Sequence, residues 1–223
     1  MELEEQKEEI ASILARAKAR EERKGKLSRD RAFVGRSMFQ EGFTERRDLE
    51  QYFWTDKTIS AIKAALQSTF DSDNSCCLCT PTVAHSWWVE DGEGVSLLDL
   101  DTRFKYLPKF RYFDLRFPEQ TDLDPESTTW RVIVFDPPFF YIPMQTLYEA
   151  VLYVCKGNIK QTKLLVGFLR REEKTLLETF KEFNLKRTSF PLEYAHVKSN
   201  KWANYAMYSN VDLPGIKRIS GKN

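Results

Sequence analysis

Histidine and cysteine are scarce in this chain. Its 223 residues include two histidines, His85 and His196, and four cysteines, Cys76, Cys77, Cys79 and Cys155. Four thiols, three of them crowded into one apolar run, do not make a disulfide framework, and small buried thiols are common in such runs. A zinc site needs four converging ligands. Cys76-Cys77-Leu78-Cys79 has the wrong spacing for a finger or ribbon, and only two histidines are available to complete it. No metal is therefore expected. There is no secretory leader pattern and no apolar run of membrane length, so reduced thiols point to the cytoplasm or the nucleus and away from a membrane. An excess of charge of either sign is also missing. With 34 basic residues against 33 acidic ones, bulk electrostatics names no partner. No internal repeat is visible.

Proline and glycine are absent from Leu3 to Arg23, where helix formers dominate. Leu3, Ile10, Ile13, Leu14 and Ala17 fall near helical spacing and make a thin apolar stripe on a charged helix. Acids crowd Glu2–Glu9, and Arg16, Lys18, Arg20, Arg23, Lys24, Lys26, Arg29 and Arg31 follow. Two readings stand side by side: a solvated helix or one docked on a partner, and a basic arm that meets phosphates. Lys26 to Gly42 has the character of a linker. The expected organisation is a charged helix and linker over 1–45, one globular domain over 46–212 and a C-terminal tail over 213–223.

Within the domain, Thr55 or Asp56 caps a helix that carries Ile59, Ile62, Ala65 and Leu66 on one face. Cys76–Cys79 is strand-like, with a turn and helix start at Thr80-Pro81-Thr82. Val95–Leu100 forms a second strand ending in Asp99 and Asp101, and Phe110–Phe113 a third that stops at Asp114. Arg131–Phe135 is a fourth. Met144–Cys155 has helical spacing, Lys163–Phe168 is strand-like and Glu172–Phe183 is helical. Arg187–Phe190 and Ala203–Ser209 close the chain as an antiparallel hairpin. Strands alternating with helices and then a terminal strand pair indicate an α/β doubly wound sheet.

The stretch Trp130 to Phe140 carries the chemistry. A β-branched apolar run ends abruptly at Asp136-Pro137-Pro138-Phe139. Each proline fixes its own φ and lacks an N–H, and the first drives Asp136 toward extended geometry. An acid and free carbonyls are thereby held at a strand's C-terminal edge beside aromatic rings, where ligands of open α/β sheets bind.

Three strands ending in acids, followed by one ending in Asp-Pro-Pro-Phe, resemble a class I S-adenosylmethionine-dependent methyltransferase with its Rossmann-like sheet. The tetrapeptide is similar to the motif of enzymes that methylate amino nitrogens. Gln51-Tyr52-Phe53-Trp54 with Thr58, Cys79-Thr80-Pro81-Thr82-Val83, Leu100-Asp101-Thr102-Arg103-Phe104 and Phe113-Asp114 with Pro118 resemble, in order, one eukaryotic family. That family is named for N6-adenine methyltransferases and also contains elongation factor 1A lysine methyltransferases. The resemblance extends through Ala203-Asn204 and Tyr208-Ser209-Asn210. It implies S-adenosylmethionine as cofactor, with Asp101 on its ribose, Phe113 and Asp114 at its adenine, and Thr80, Pro81 and Thr82 at its carboxylate. Trp54 and Thr58 would cover it. Asp136, Pro137, Pro138 and Phe139 would hold the acceptor amine. A glycine-rich loop after the first strand is absent, and Tyr205-Ala206 stands where lysine-modifying relatives have Glu-Phe.

The implied acceptor is a macromolecule: adenine N6 in nucleic acid first, a lysine of a translation factor second. A third reading is a catalytically silent partner that keeps the fold for binding. Phe140 and Tyr141 are expected at the substrate pocket or packed beneath the loop. Trp87, Trp88 and Trp130 are read as packing aromatics, and neither histidine has a visible catalytic partner.

Overall fold

The computed structural model describes residues 43–92, 94–121, 123 and 130–219. The helix expected over 3–23, the linker over 26–42, Glu93 and residues 220–223 lie outside them. The described chain builds one seven-stranded sheet in the order β3-β2-β1-β4-β5-β7-β6. Its strands are β1 (Ser75–Leu78), β2 (Ser96–Asp99), β3 (Phe110–Tyr112), β4 (Val132–Phe135), β5 (Lys163–Leu169), β6 (Lys186–Arg187) and β7 (Tyr205–Ser209). The first five run parallel, whereas β7 lies antiparallel to both β5 and β6. This is the doubly wound sheet expected, with its antiparallel end.

Every residue of β1, β2 and β4 is buried. Strands covered on both faces show continuous apolar runs rather than alternation, which is why these three stand out in the sequence. The cover comes from α1 (Asp56–Gln67), α2 (Pro81–Asp91), α3 (Met144–Val154) and α4 (Glu173–Thr179). Right-handed crossovers leaving the central β1–β4 pair in opposite directions put α2 and α3 on opposite faces. Accordingly α1 packs with α2, and α3 with α4.

Thr55 caps α1 by accepting the Thr58 N–H, and Ile59, Ile62, Ala65 and Leu66 are buried as expected. Helix α2 starts at the expected Thr80-Pro81-Thr82 turn, but without a side-chain cap. Thr80 occupies the N-cap position without a capping bond. Its hydroxyl instead donates to the Val134 carbonyl, 3.4 Å away, because strand β4 runs directly beside it.

The closing strands also differ from expectation. β6 is only two residues long, since Thr188 turns to bridge Arg218 and Pro191 has no N–H to extend a ladder. The chain then swings under α1, where Trp54 bridges Tyr194 and the Ala195 N–H donates to the Phe53 carbonyl. In the tail, Leu213 and Ile216 are buried, and the Ile219 N–H donates to the Arg187 carbonyl. These residues cover the sheet edge that a short terminal strand would leave bare. Among the described residues, no helix is long and apolar enough to cross a membrane.

Candidate active site

Strand order reverses between β1 and β4, the place where open α/β sheets open a crevice beyond their strand ends. Leu78 pairs with Leu98 and with Phe135, and Phe135 pairs with Val166. One residue further along each strand stand Cys79, Asp99, Asp136 and Gly167, level across the C-terminal edge. Cys79, Asp99 and Asp136 line a cavity of about 160 Å³. Its far wall is Phe113, Asp114 and Arg116, and the segment from Asp48 to Tyr52 covers it.

Asp136 is half-buried, and the fully buried Tyr194 donates its hydroxyl to Oδ1 at 2.8 Å. Among the described residues Oδ2 has no hydrogen-bond partner. Burial pushes the Asp136 carboxyl well above the usual carboxylate range, with the Tyr194 hydrogen bond acting against it. Gly167 makes room for this group. A Cβ there would lie 2.7 Å from Asp136 Oδ1 and 3.2 Å from both Trp54 and Leu192.

Pro137 and Pro138 then carry the chain to Phe139, whose ring sits in an aromatic cage. Tyr52 is nearly parallel to it at 6.0 Å, Tyr194 is edge-on at 6.3 Å, and Tyr205 is tilted at 5.6 Å. Phe168 meets the ring at 5.5 Å. The cover is tied down at Glu50, a buried residue with φ 50°. Its Oε2 accepts the backbone N–H groups of Phe140 and Tyr141 at 2.9 and 3.0 Å. Two orphan donors of the turn after the prolines are thereby satisfied by the segment that closes the cavity.

The other half of the cavity is acidic. Asp99 is buried, and its pKa is pushed up to about 7 by burial. Asp114 accepts a bidentate pair from Arg116 at 2.9 and 2.6 Å, and that hydrogen bonding holds its carboxyl below the ordinary value. Cys79 lies between the acids with φ 54°, the left-handed conformation that glycine usually supplies. It makes the sharp turn from β1 without a glycine-rich loop. Burial, and after it Asp99, Asp136 and Asp114, push its thiol well above the usual range. Two carboxyl groups held up by burial beside a cleft favour a cationic ligand, whose charge restores both ionised forms. A nucleoside carrying a sulfonium has that charge, so this donor set fits S-adenosylmethionine.

Six of the residues singled out in the sequence line the cavity: Phe113, Asp114, Asp136, Pro137, Pro138 and Phe139. The other six stand behind its wall. Asp101 is fully buried and turned toward Arg103, which grips both of its oxygens, while Gln51 Nε2 donates to Oδ2 at 3.1 Å. Its N–H donates to Asp99 Oδ1 at 2.8 Å. Asp101 therefore anchors the cover, and the acid presented to the cavity is Asp99. Trp54 is buried against Gly167 and Tyr194. Thr58 is buried, and its hydroxyl oxygen accepts the Glu193 N–H. Thr80, Pro81 and Thr82 are buried at the base of α2.

Sequence reading missed Asp99 as the presented acid, along with Glu50 and Tyr194. The parallel register makes Asp99 legible only once the neighbours of β2 are known. For Tyr194, 58 residues from Asp136, no local signal exists. Tyr141, 74% exposed, lines the cavity mouth, whereas Phe140, 57% exposed, lines the neighbouring depression. Trp87 and Trp130 are core residues, and His85 hydrogen-bonds the Tyr106 hydroxyl through Nδ1 at 2.7 Å.

Residues 45–212 match the family described as "Probable N6-adenine methyltransferase". No curated protein matches the chain. Among solved structures, a mutein of the branched-chain polyamine synthase from Thermus thermophilus, bound to N4-aminopropylspermidine and 5'-methylthioadenosine, is similar with a TM-score of 0.52. That match has 15% identity and covers 86% of this chain and 67% of that one. At such identity the likeness is one of fold. A Thermoplasma acidophilum protein, 1320, aligns over 80% of this chain and 100% of its own at 13% identity, with a TM-score of 0.40.

Proposed function

The chain belongs to the family of probable N6-adenine methyltransferases, and from that premise we propose that its acceptor is the exocyclic amine of adenine in a nucleic acid. It is an S-adenosylmethionine-dependent methyltransferase. S-adenosylmethionine held in the cavity would supply a methyl group already activated on a sulfonium, with the neutral thioether as its leaving group. In this reading Asp99 would hold the ribose hydroxyls, Phe113 would meet the adenine face and Asp114 the edge of the same ring. Asp101 braces Asp99 from behind, Trp54 packs against Tyr194 and Gly167 beside Asp136, and Thr58, Thr80, Pro81 and Thr82 are buried behind the cavity wall.

The observation that carries the acceptor reading is the pairing of Asp136 with Tyr194. With Oδ1 occupied by the phenol, Oδ2 is left for one N–H of an incoming amine, and the Pro137 carbonyl for the other. These acceptors draw electron density to an amino nitrogen whose lone pair is otherwise conjugated with the ring. The displaced proton goes to Asp136, whose raised pKa suits it to receive one. Phe139 and Tyr52 offer faces for the base, and stacking of this kind is worth roughly 1–3 kcal/mol. The cover tied down by Glu50 excludes water.

A second reading, a lysine of a translation factor, has one observation in its favour: Tyr52 and Phe139, which line the cavity, offer aromatic surface to an alkylammonium. Methylation with labelled cofactor on separated RNA, DNA and protein fractions tests both. Label in nucleic acid supports the first, and label confined to protein sinks it. Calorimetry with S-adenosylmethionine tests the silent-partner reading, which requires that no cofactor bind.

A further inference from the structure

A second and larger depression, about 940 Å³, begins where the cavity ends. It runs along the end of β5, the start of α4 and the turn before β7, and Phe140 and Tyr205 form its inner wall. Five of its charged lining residues are basic and one, Glu173, is acidic. Glu173 is already committed, accepting from Arg187 at 3.1 Å and from the Tyr208 hydroxyl at 3.0 Å. Arg170 is likewise engaged, donating to the Ala203 carbonyl at 3.2 Å.

Arg171, Lys174 and Lys201 remain available. Arg171 is 65% exposed with Glu172 at 3.5 Å, and Lys174 is 88% exposed with Glu178 at 3.9 Å. Such surface pairs hold at most about 1 kcal/mol and exchange readily for a stronger anion. Lys201 is exposed and forms no ion pair among the described residues. The Arg171 guanidinium also lies 5.4 Å over the Phe140 ring, so a cation and an exposed aromatic face stand together at the threshold of the cavity.

We propose that this groove is the track for a single-stranded nucleic acid, binding phosphates through Arg171, Lys174 and Lys201 and a flanking base on Phe140. The proposal rests on the adenine reading of the cavity and names the form of its substrate. Three cations, two held only in exchangeable surface pairs and one in no ion pair among the described residues, favour a chain that repeats a phosphate at every nucleotide. Exposed aromatic rings interleaved with those cations are how unpaired bases are held without reading their sequence. A duplex hides its base faces, and so offers nothing to Phe140. A lysine-bearing segment would bring positive charge into a positive groove. The track ends at the Phe139 cage, so a base displaced from the strand beside Phe140 enters the clamp directly.

The test compares the full chain with the triple variant Arg171→Glu, Lys174→Glu, Lys201→Glu. The probes are a labelled adenine-containing single-stranded RNA of about twelve nucleotides, its DNA counterpart and the matching duplexes. Fluorescence anisotropy is read across a salt series, and methyl transfer is measured on the same oligonucleotides and on a lysine peptide. For three phosphate contacts, log affinity of the wild type should fall with log salt with a slope near about −2. The triple variant should flatten that slope and raise KM about tenfold or more, while kcat and S-adenosylmethionine affinity by calorimetry stay near wild type. Unchanged cofactor affinity shows the variant is folded. If the wild type methylates the single strand and the variant does so with the same KM and salt slope, the groove is overturned and the adenine reading stands. If label appears only in the peptide while salt-dependent binding of the strand persists and is lost in the variant, the adenine reading falls and the groove stands. Preference for duplex over single strand overturns the track as described.

Discussion

The cavity and the groove share the Phe139–Phe140 turn and differ in what decides which molecule enters each. The cavity is small and acidic, built from residues at the ends of parallel strands whose positions are set by backbone hydrogen bonds. The groove is about 940 Å³, basic, and formed by exposed side chains on a short helix and two turns. The proposed acceptor carrier, a nucleic acid, is polyanionic and the cofactor is cationic, so their electrostatic needs are opposite and one surface could not serve both. The geometry differs for a related reason. Methyl transfer tolerates little error in placing the amine, so Asp136 is braced by Tyr194 and Gly167. Holding a strand tolerates much, and long flexible cations suffice.

Changes inside the cavity should therefore affect chemistry and cofactor without touching groove binding. The largest effect is expected from Asp136→Ala, which should lower kcat by about a thousandfold while leaving S-adenosylmethionine and oligonucleotide affinities within about threefold. Normal turnover in that variant would remove Asp136 from the mechanism.

Asp99→Asn should act on the cofactor and on stability with a defined pH signature. The Asp99 pKa is about 7 in the folded protein, above its ordinary 3.8. The native state therefore keeps a proton that the unfolded chain has lost, and wild-type stability falls as pH rises from about 4 to about 7, then levels. The displacement corresponds to at most roughly 4 kcal/mol. Denaturant titrations should show the Asn variant gaining on wild type across that window and matching it near pH 4. Over the same range wild-type affinity for cationic S-adenosylmethionine should rise with pH as Asp99 ionises, and the variant should lose that rise. S-adenosylhomocysteine, lacking the sulfonium, should show little of it.

Tyr194→Phe removes the donor to Asp136 Oδ1 and with it the one interaction that lowers that pKa. A loss of about tenfold in kcat is expected, with the acid limb of the rate profile moving to higher pH. An unshifted limb would mean that Asp136 is not the titrating group. The smallest effect belongs to Thr80→Val. Its hydroxyl serves the Val134 carbonyl rather than the cavity, so cofactor affinity should stay within about twofold while the melting temperature falls slightly.

The difference between strand ends and side-chain surfaces also explains what was legible beforehand. The β1, β2 and β4 runs were readable because full burial writes itself as unbroken apolar sequence. Asp136-Pro137-Pro138-Phe139 was readable because each proline restricts its own φ and the residue before it. The choice between Asp99 and Asp101 was not, since residues two apart share a strand face, and only the structure shows the strand ending at Asp99 and Asp101 turned into the grip of Arg103. The length of β6 was overestimated because Thr188 answers to Arg218, thirty residues away. The sequence reading placed basic potential in Arg16 to Arg31, outside the described residues. The groove's own cations come from positions 170, 171, 174, 187 and 201, so that three sit together at the start of α4 and two are brought in from elsewhere in the chain.

What could be had from residue order alone was therefore local: which segments are strands or helices, and that an acid and two prolines end one strand beside an aromatic ring. Propensity, burial pattern and fixed φ act over a few residues, and they suffice for that much. Tertiary structure decided which acid faces the cofactor cavity, which tyrosine braces Asp136, and that separate cations converge on one groove. Those outcomes depend on strand register and on contacts between residues tens of positions apart, where the chain's own order carries no distance information.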